Sequence, residues 1–223
     1  MATSRSEALF SDRRAAGRAL AQRLPAYAGR ADVIVLALPP EGVPVAYEVA
    51  MALGVTMDAF IVRKLGVPGR DEFTMGAIAS GGVRVLNQQV MSVLHIPGDV
   101  LAEVTEREQR ELERQEQRYR GGRPAPQVRN RTVLLVDDGM ATGATMQAAV
   151  KALRRQEPAR IVVAVPTGSP QTCEELRTAA DDVVCATTPQ PFVSVGQGYQ
   201  DFSPTGDEEV VQLLAQTQAR RQE

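Results

Sequence analysis

The chain has 223 residues, 43% of them hydrophobic and 23% charged, which is enough to bury one substantial core, and a single domain over 1–223 is the simplest organisation. A formal net charge of -2 supplies no overall positive field, so neither nucleic acid nor an anionic membrane surface is an expected partner. No apolar run approaches the roughly 20 residues that span a bilayer. Residues 1–10 also lack the basic-then-apolar order of a secretory signal, so a cytoplasmic protein is expected.

In chain order, Glu7 to Leu24 place Leu9, Ala16, Leu20 and Leu24 near helical spacing and predict an amphipathic N-terminal helix. Val33 to Leu38 is a short run rich in Val and Ile, the pattern of a strand buried on both faces. A helix over Val43 to Leu53 follows, then a second strand over Met57 to Val62. Residues 87–122 read as a helical insertion. Within it, Asp99 to Arg120 is nearly all charged or Gln, with Leu101, Val104, Leu112 and Tyr119 as a thin apolar stripe. Glu103 with Arg107 and Glu106 with Arg110 are i,i+4 pairs that support an exposed helix. Gly121 to Asn130, rich in Gly, Pro and Arg, is a linker. Strands over Thr132 to Val136, Ile161 to Val165 and Val183 to Ala186 then alternate with helices over Gly143 to Arg155 and Pro170 to Ala180.

Alternating strands and helices predict an α/β fold with a mainly parallel, twisted sheet flanked by helices. Ligands of such sheets sit beyond the carboxyl ends of the strands. Cys173 and Cys185 have neither CxxC spacing nor a neighbouring histidine, and are expected as two reduced, partly buried thiols. His95, the single histidine, reads as structural or surface, and no cluster predicts a zinc site.

The informative segment runs from Thr132 to Met146. An apolar strand ends in two adjacent acids, Asp137 and Asp138, and a loop follows: Gly139, Met140, Ala141, Thr142, Gly143, Ala144, Thr145. A helix N-terminus offers unpaired N–H groups and the positive end of the helix dipole. Gly139 and Gly143 let the backbone curl around a phosphate, and the Thr142 and Thr145 hydroxyls add donors. The two carboxylates can accept from the vicinal hydroxyls of a ribose, directly or through a hydrated divalent cation. No GxxxxGK[ST] and no GxGxxG after a strand is present, which sets aside the common nucleotide loops.

This segment strongly resembles the phosphoribosyl pyrophosphate motif of type I phosphoribosyltransferases, and its Ala141-Thr142-Gly143 version is most similar to the adenine-type enzymes. With Arg63-Lys64-Leu65-Gly66, Gly76-Ala77-Ile78-Ala79 and the tail from Val195-Gly196 to Asp201-Phe202, most of the chain resembles one bacterial group of that family. The resemblance implies that Asp137 and Asp138 hold the ribose hydroxyls, bearing on Mg2+ through water, and that Gly139 to Thr145 hold the 5-phosphate. It implies a pyrophosphate loop at Leu38 to Pro44, with Pro39, Pro40, Glu41 and Gly42 at its centre and Arg63 and Lys64 assisting. It further implies a flexible closing loop at Val67 to Thr74, with Glu72 as the candidate acid or base. A hood over 187–207 would present Phe192, Val193 and Tyr199 to the base. The substrates would be phosphoribosyl pyrophosphate and a nucleobase-like acceptor, the cofactor Mg2+ and the assembly a homodimer.

The chain departs from its group in the pyrophosphate loop, where Pro39-Pro40-Glu41-Gly42 stands in place of Pro-Arg-Gly-Gly. Proline has no N–H, and a glutamate would face a strongly negative substrate. Two functions therefore stay open, a Mg2+-dependent transferase and a non-catalytic sensor of phosphoribosyl compounds or nucleotides.

Overall fold

The computed structural model describes residues 9–219, without the side chains of Asp71, Glu72 and Ala219. The five runs expected as strands each contribute to one parallel sheet: β1 (Val33–Ala37), β2 (Thr56–Ala59), β6 (Thr132–Val136), β7 (Arg160–Thr167) and β8 (Asp182–Thr187). Their order is β2-β1-β6-β7-β8. The chain leaves β1 toward one edge and β6 toward the other, so the loops after these two neighbours diverge and open a crevice at the switch point.

Alternate side chains of each strand serve two cores. Val33, Val35, Leu134 and Val136 pack into the layer that holds α2 (Gly42–Leu53) and α7 (Asp207–Ala219). Ile34, Leu36, Val133 and Leu135 pack against α5 (Ala144–Arg154) and α6 (Pro170–Leu176). The fold is thus α/β, with a parallel sheet covered by helices on both faces.

The N-terminal helix α1 is shorter than its apolar stripe predicts. It spans Arg13–Ala21, capped by Asp12, whose side chain accepts the Ala15 N–H at 2.7 Å. Glu7 falls outside the described residues, and Phe10 instead pairs in extended conformation with Tyr199. Gly17 sits where α1 crosses α2: a Cβ there would lie 2.6 Å from the Val45 carbonyl oxygen.

A second sheet adds to the expected architecture. β3 (Val62–Val67), β4 (Arg70–Ala79) and β5 (Val83–Leu86) form an antiparallel, three-stranded sheet. The run expected as one strand from Met57 to Val62 therefore breaks after β2, where Phe60 donates to the Ala37 carbonyl and Ile61 to the Ser80 hydroxyl. The segment 67–74, expected as a loop, is the tip of the β3–β4 hairpin, with Val67 opposite Arg70.

Two helices follow, α3 (Gln88–Val93) and α4 (Gly98–Arg120). The stripe of α4 buries Val104, Leu112 and Tyr119, while Glu106 and Arg110 form the expected exposed pair at 3.3 Å. Arg107 turns instead to Glu108. Two separate thiols are not what the structure holds. Cys173 on α6 and Cys185 on β8 point into the same layer and are bonded to each other, a proximity that sequence spacing does not reveal.

Candidate functional site

The crevice is built by the loops after β1 and β6. Leu38 donates its N–H to the Val136 carbonyl at 2.9 Å, so the two strand ends stay in register as the chain leaves the sheet. At Gly42 the loops touch: a Cβ there would sit 2.9 Å from the Val136 carbonyl oxygen and 3.1 Å from Asp137 Oδ1. Only glycine permits that approach, which fixes the acid pair beside the start of α2.

Asp137 Oδ1 accepts the N–H of Asp138 at 2.9 Å. Asp138 Oδ2 accepts from Arg13 Nε at 3.0 Å, and its backbone carbonyl accepts the Tyr199 hydroxyl. Burial pushes the Asp137 carboxyl well above the usual carboxylate range, with the charge of Asp138 adding to the effect. Burial also raises Asp138, against the pull of the Arg13 guanidinium. The two acids therefore titrate as a pair that resists carrying both charges.

Arg13 organises more than Asp138. It is 7% exposed, donates to the Ser203 carbonyl at 2.6 Å, and lies 3.4 Å from Glu41 Oε2. Its guanidinium stacks over Phe202 at 4.3 Å, and that ring stacks in turn on Tyr199. Glu41 also accepts the Thr205 N–H at 2.9 Å. Glu41 therefore has a cationic neighbour that the loop sequence does not show: Arg13, brought in by α1 and shared with Asp138.

The same loop is poor in donors. Pro39 and Pro40, joined by a cis peptide, have no N–H. Gly42 donates to Leu38 and Val43 to Pro40. Between Pro39 and Val43, Glu41 alone keeps an N–H without an acceptor among the described residues.

The loop after Asp138 is held from below and open above. Met140 donates to the Thr167 carbonyl at 3.0 Å and accepts from the Ser169 N–H at 2.9 Å, which stitches it to the end of β7. The Thr172 hydroxyl donates to the Ala141 carbonyl at 2.6 Å. Gly143 has φ +68, and a Cβ would meet Thr172 Cγ2 at 2.5 Å, so glycine is required on both counts. Gly139 packs beneath Val195. Met140 is buried, whereas Ala141, Thr142, Ala144 and Thr145 reach solvent at the first turn of α5, the residues an anion would meet.

The remaining candidates lie on other segments. Arg63 and Lys64 are neighbours on β3 and so face opposite sides of the small sheet. Arg63 is paired with Glu108 of α4 at 2.7 Å, while Lys64 opens on a cavity beside α5. Tyr199, expected as a hood residue for the base, is 5% exposed and braces the Asp138 backbone instead. Phe192 is half-buried and Val193 is 78% exposed. Glu72 falls in β4, and its side chain lies outside the described residues. Arg13 escapes a reading of the sequence because nothing local distinguishes it from Arg14 or Arg18. Among the described residues no group of three or more His, Cys, Asp or Glu side chains is arranged to hold a metal, and no helix is long and apolar enough to cross a membrane.

Comparison with known proteins adds the family. The phosphoribosyl transferase domain matches residues 8–201. A Mycobacterium tuberculosis (strain H37Rv) protein provisionally named a phosphoribosyl transferase is 46% identical over 206 residues, 92% of this chain and 46% of that protein. The chain thus spans about half the length of that relative. The crystal structure of TT1426 from Thermus thermophilus is 42% identical, with a TM-score of 0.83 over 93% of this chain and 98% of that one. The chain belongs to the phosphoribosyl transferase family.

Proposed function

We propose that this protein is a Mg2+-dependent phosphoribosyltransferase that moves ribose 5-phosphate from phosphoribosyl pyrophosphate to a nitrogen of a nucleobase-like acceptor. The observation that carries this reading is the continuity of the crevice. Asp137 and Asp138 stand at the end of β6, the open turn from Ala141 to Thr145 follows directly, and Gly42 seats the β1 loop against the acids. A ribose lying over the acid pair would have its 5-phosphate at the first turn of α5, where Thr142, Thr145 and the backbone amides supply donors.

The donor set fits Mg2+. Asp137 Oδ2 and Asp138 Oδ1 are oxygens not used in the contacts described above, and two carboxylates completed by water and substrate phosphates are what a hard octahedral cation takes. Bound there, the ion would offset charge on the departing pyrophosphate. The chain's own residues hold the ribose, fix the 5-phosphate and, through Arg13, offset part of the negative charge of Asp138 and Glu41. In the reaction the C1–O bond to pyrophosphate breaks with its electron pair leaving on oxygen. The acceptor nitrogen forms the C1–N bond and gives up its proton.

The scarcity of N–H donors between Pro39 and Val43 favours a second reading, a sensor that binds phosphoribosyl compounds or nucleotides without turnover. Pyrophosphate release from phosphoribosyl pyrophosphate with a panel of nucleobases separates the two. Base-dependent release that disappears in Asp137→Asn/Asp138→Asn supports the transferase. Tight binding with no release by the folded parent protein supports the sensor.

A further inference from the structure

Of the 25 basic residues in the chain only two are lysines, Lys64 and Lys151, and both line the same cavity. The cavity, about 540 Å3, lies between the three-stranded sheet, the start of α3 and one side of α5 from Ala144 to Lys151. That volume is in the range of small-molecule sites. Lys64 reaches it from β3 and Lys151 from α5, so the fold brings together two charges far apart in sequence. Among the described residues, no carboxylate lines it and neither lysine has an ion-pair partner. The surrounding arginines behave differently: Arg63, one residue from Lys64, is tied to Glu108, and Arg154, on the same helix as Lys151, is tied to Asp181. A compact ammonium group held without a counter-ion is suited to a phosphate, which needs no planar fork.

The rest of the wall selects what the phosphate is attached to. Val85 and Leu86 supply an apolar surface, while the amides of Gln88, Gln89 and Gln147 offer both donors and acceptors. A flat, heteroatom-bearing ring joined to phosphate matches that mixture. We propose that this cavity is a second ligand site that binds a nucleotide, with its phosphates between Lys64 and Lys151. The site adjoins the loop after β6, because Ala144, the first residue of α5, forms part of its wall. An occupant would therefore touch the helix whose first turn, on the reading proposed above, faces the 5-phosphate.

Calorimetric titration of ADP in the presence of saturating ribose 5-phosphate tests this, with the parent protein and Lys151→Glu compared and Lys151→Arg as the charge-preserving control. The expected result is that Lys151→Glu weakens ADP binding by at least about tenfold. Lys151→Arg should retain most of the affinity, and ribose 5-phosphate binding and the thermal midpoint should be unchanged in both variants. Equal ADP affinity in the parent and Lys151→Glu proteins, or no ADP binding to the parent, would overturn the proposal. So would a parallel loss of ADP and ribose 5-phosphate binding in folded Lys151→Glu, which would make the cavity an arm of the crevice. Absence of ribose 5-phosphate binding in the parent would count against the crevice alone, because the ADP titrations of the two proteins can be compared without it.

Discussion

The loops after β6 and β1 lie side by side, yet they depend on different kinds of information. From Asp137 to Thr145 the chemistry is local: acids, glycines and hydroxyls occur in the order in which a sugar phosphate would meet them. From Leu38 to Gly42 it is not. Pro39-Pro40-Glu41 looks hostile to an anion until Arg13 arrives from α1 and the Thr205 N–H arrives from 164 residues further along. A charged residue in a loop cannot be judged from the loop alone, since the sign of its effect is set by what the fold packs against it.

The largest expected effect breaks that comparison at its hinge. Arg13→Ala strands Asp138 in a buried position and should cost about 3–5 kcal/mol in denaturant unfolding. Combining it with Asp138→Asn should recover much of the loss. A neutral Arg13→Ala would mean that the pair does not form and that Glu41 faces the crevice unopposed. Tyr199→Phe removes the donor to the Asp138 carbonyl and should lower stability by about 1–3 kcal/mol, read as a lower thermal midpoint.

Asp137→Asn tests the acid pair by pH. The folded carboxyl is raised above its unfolded value, so the folded state binds more protons, and stability falls as pH rises from the unfolded pKa through the folded one. The asparagine variant should lose that slope and gain stability at neutral pH. An unchanged slope would place Asp137 in solvent. The smallest effect belongs to Glu41→Gln, whose partly exposed pair with Arg13 should change stability by less than about 1 kcal/mol. A gain of many-fold in pyrophosphate affinity in that variant would show that the Glu41 charge is not compensated.

The parallel sheet is legible in the sequence because runs such as Val33 to Ala37 are apolar at every position, a pattern that belongs to strands covered on both faces. The antiparallel sheet is not, because Arg63, Lys64 and Gly66 interrupt β3, and charged residues open β4. Its signals are the turns: Pro68-Gly69 joins β3 to β4, and Gly81-Gly82, both with positive φ, join β4 to β5. The helix α7 also goes unread, although Val210, Leu213 and Leu214 form a helical stripe that is fully buried. In the crevice, the acid pair and the turn into α5 are visible in one segment. Arg13, the bracing role of Tyr199 and the parting of Arg63 from Lys64 depend on which faces the fold brings together.

The most direct test of the central claim is calorimetric titration of phosphoribosyl pyrophosphate against ribose 5-phosphate, each with and without Mg2+. A transferase crevice predicts that the pyrophosphate compound binds more tightly and only with Mg2+. Equal or tighter binding of ribose 5-phosphate would contradict a working pyrophosphate subsite and leave the chain as a sensor.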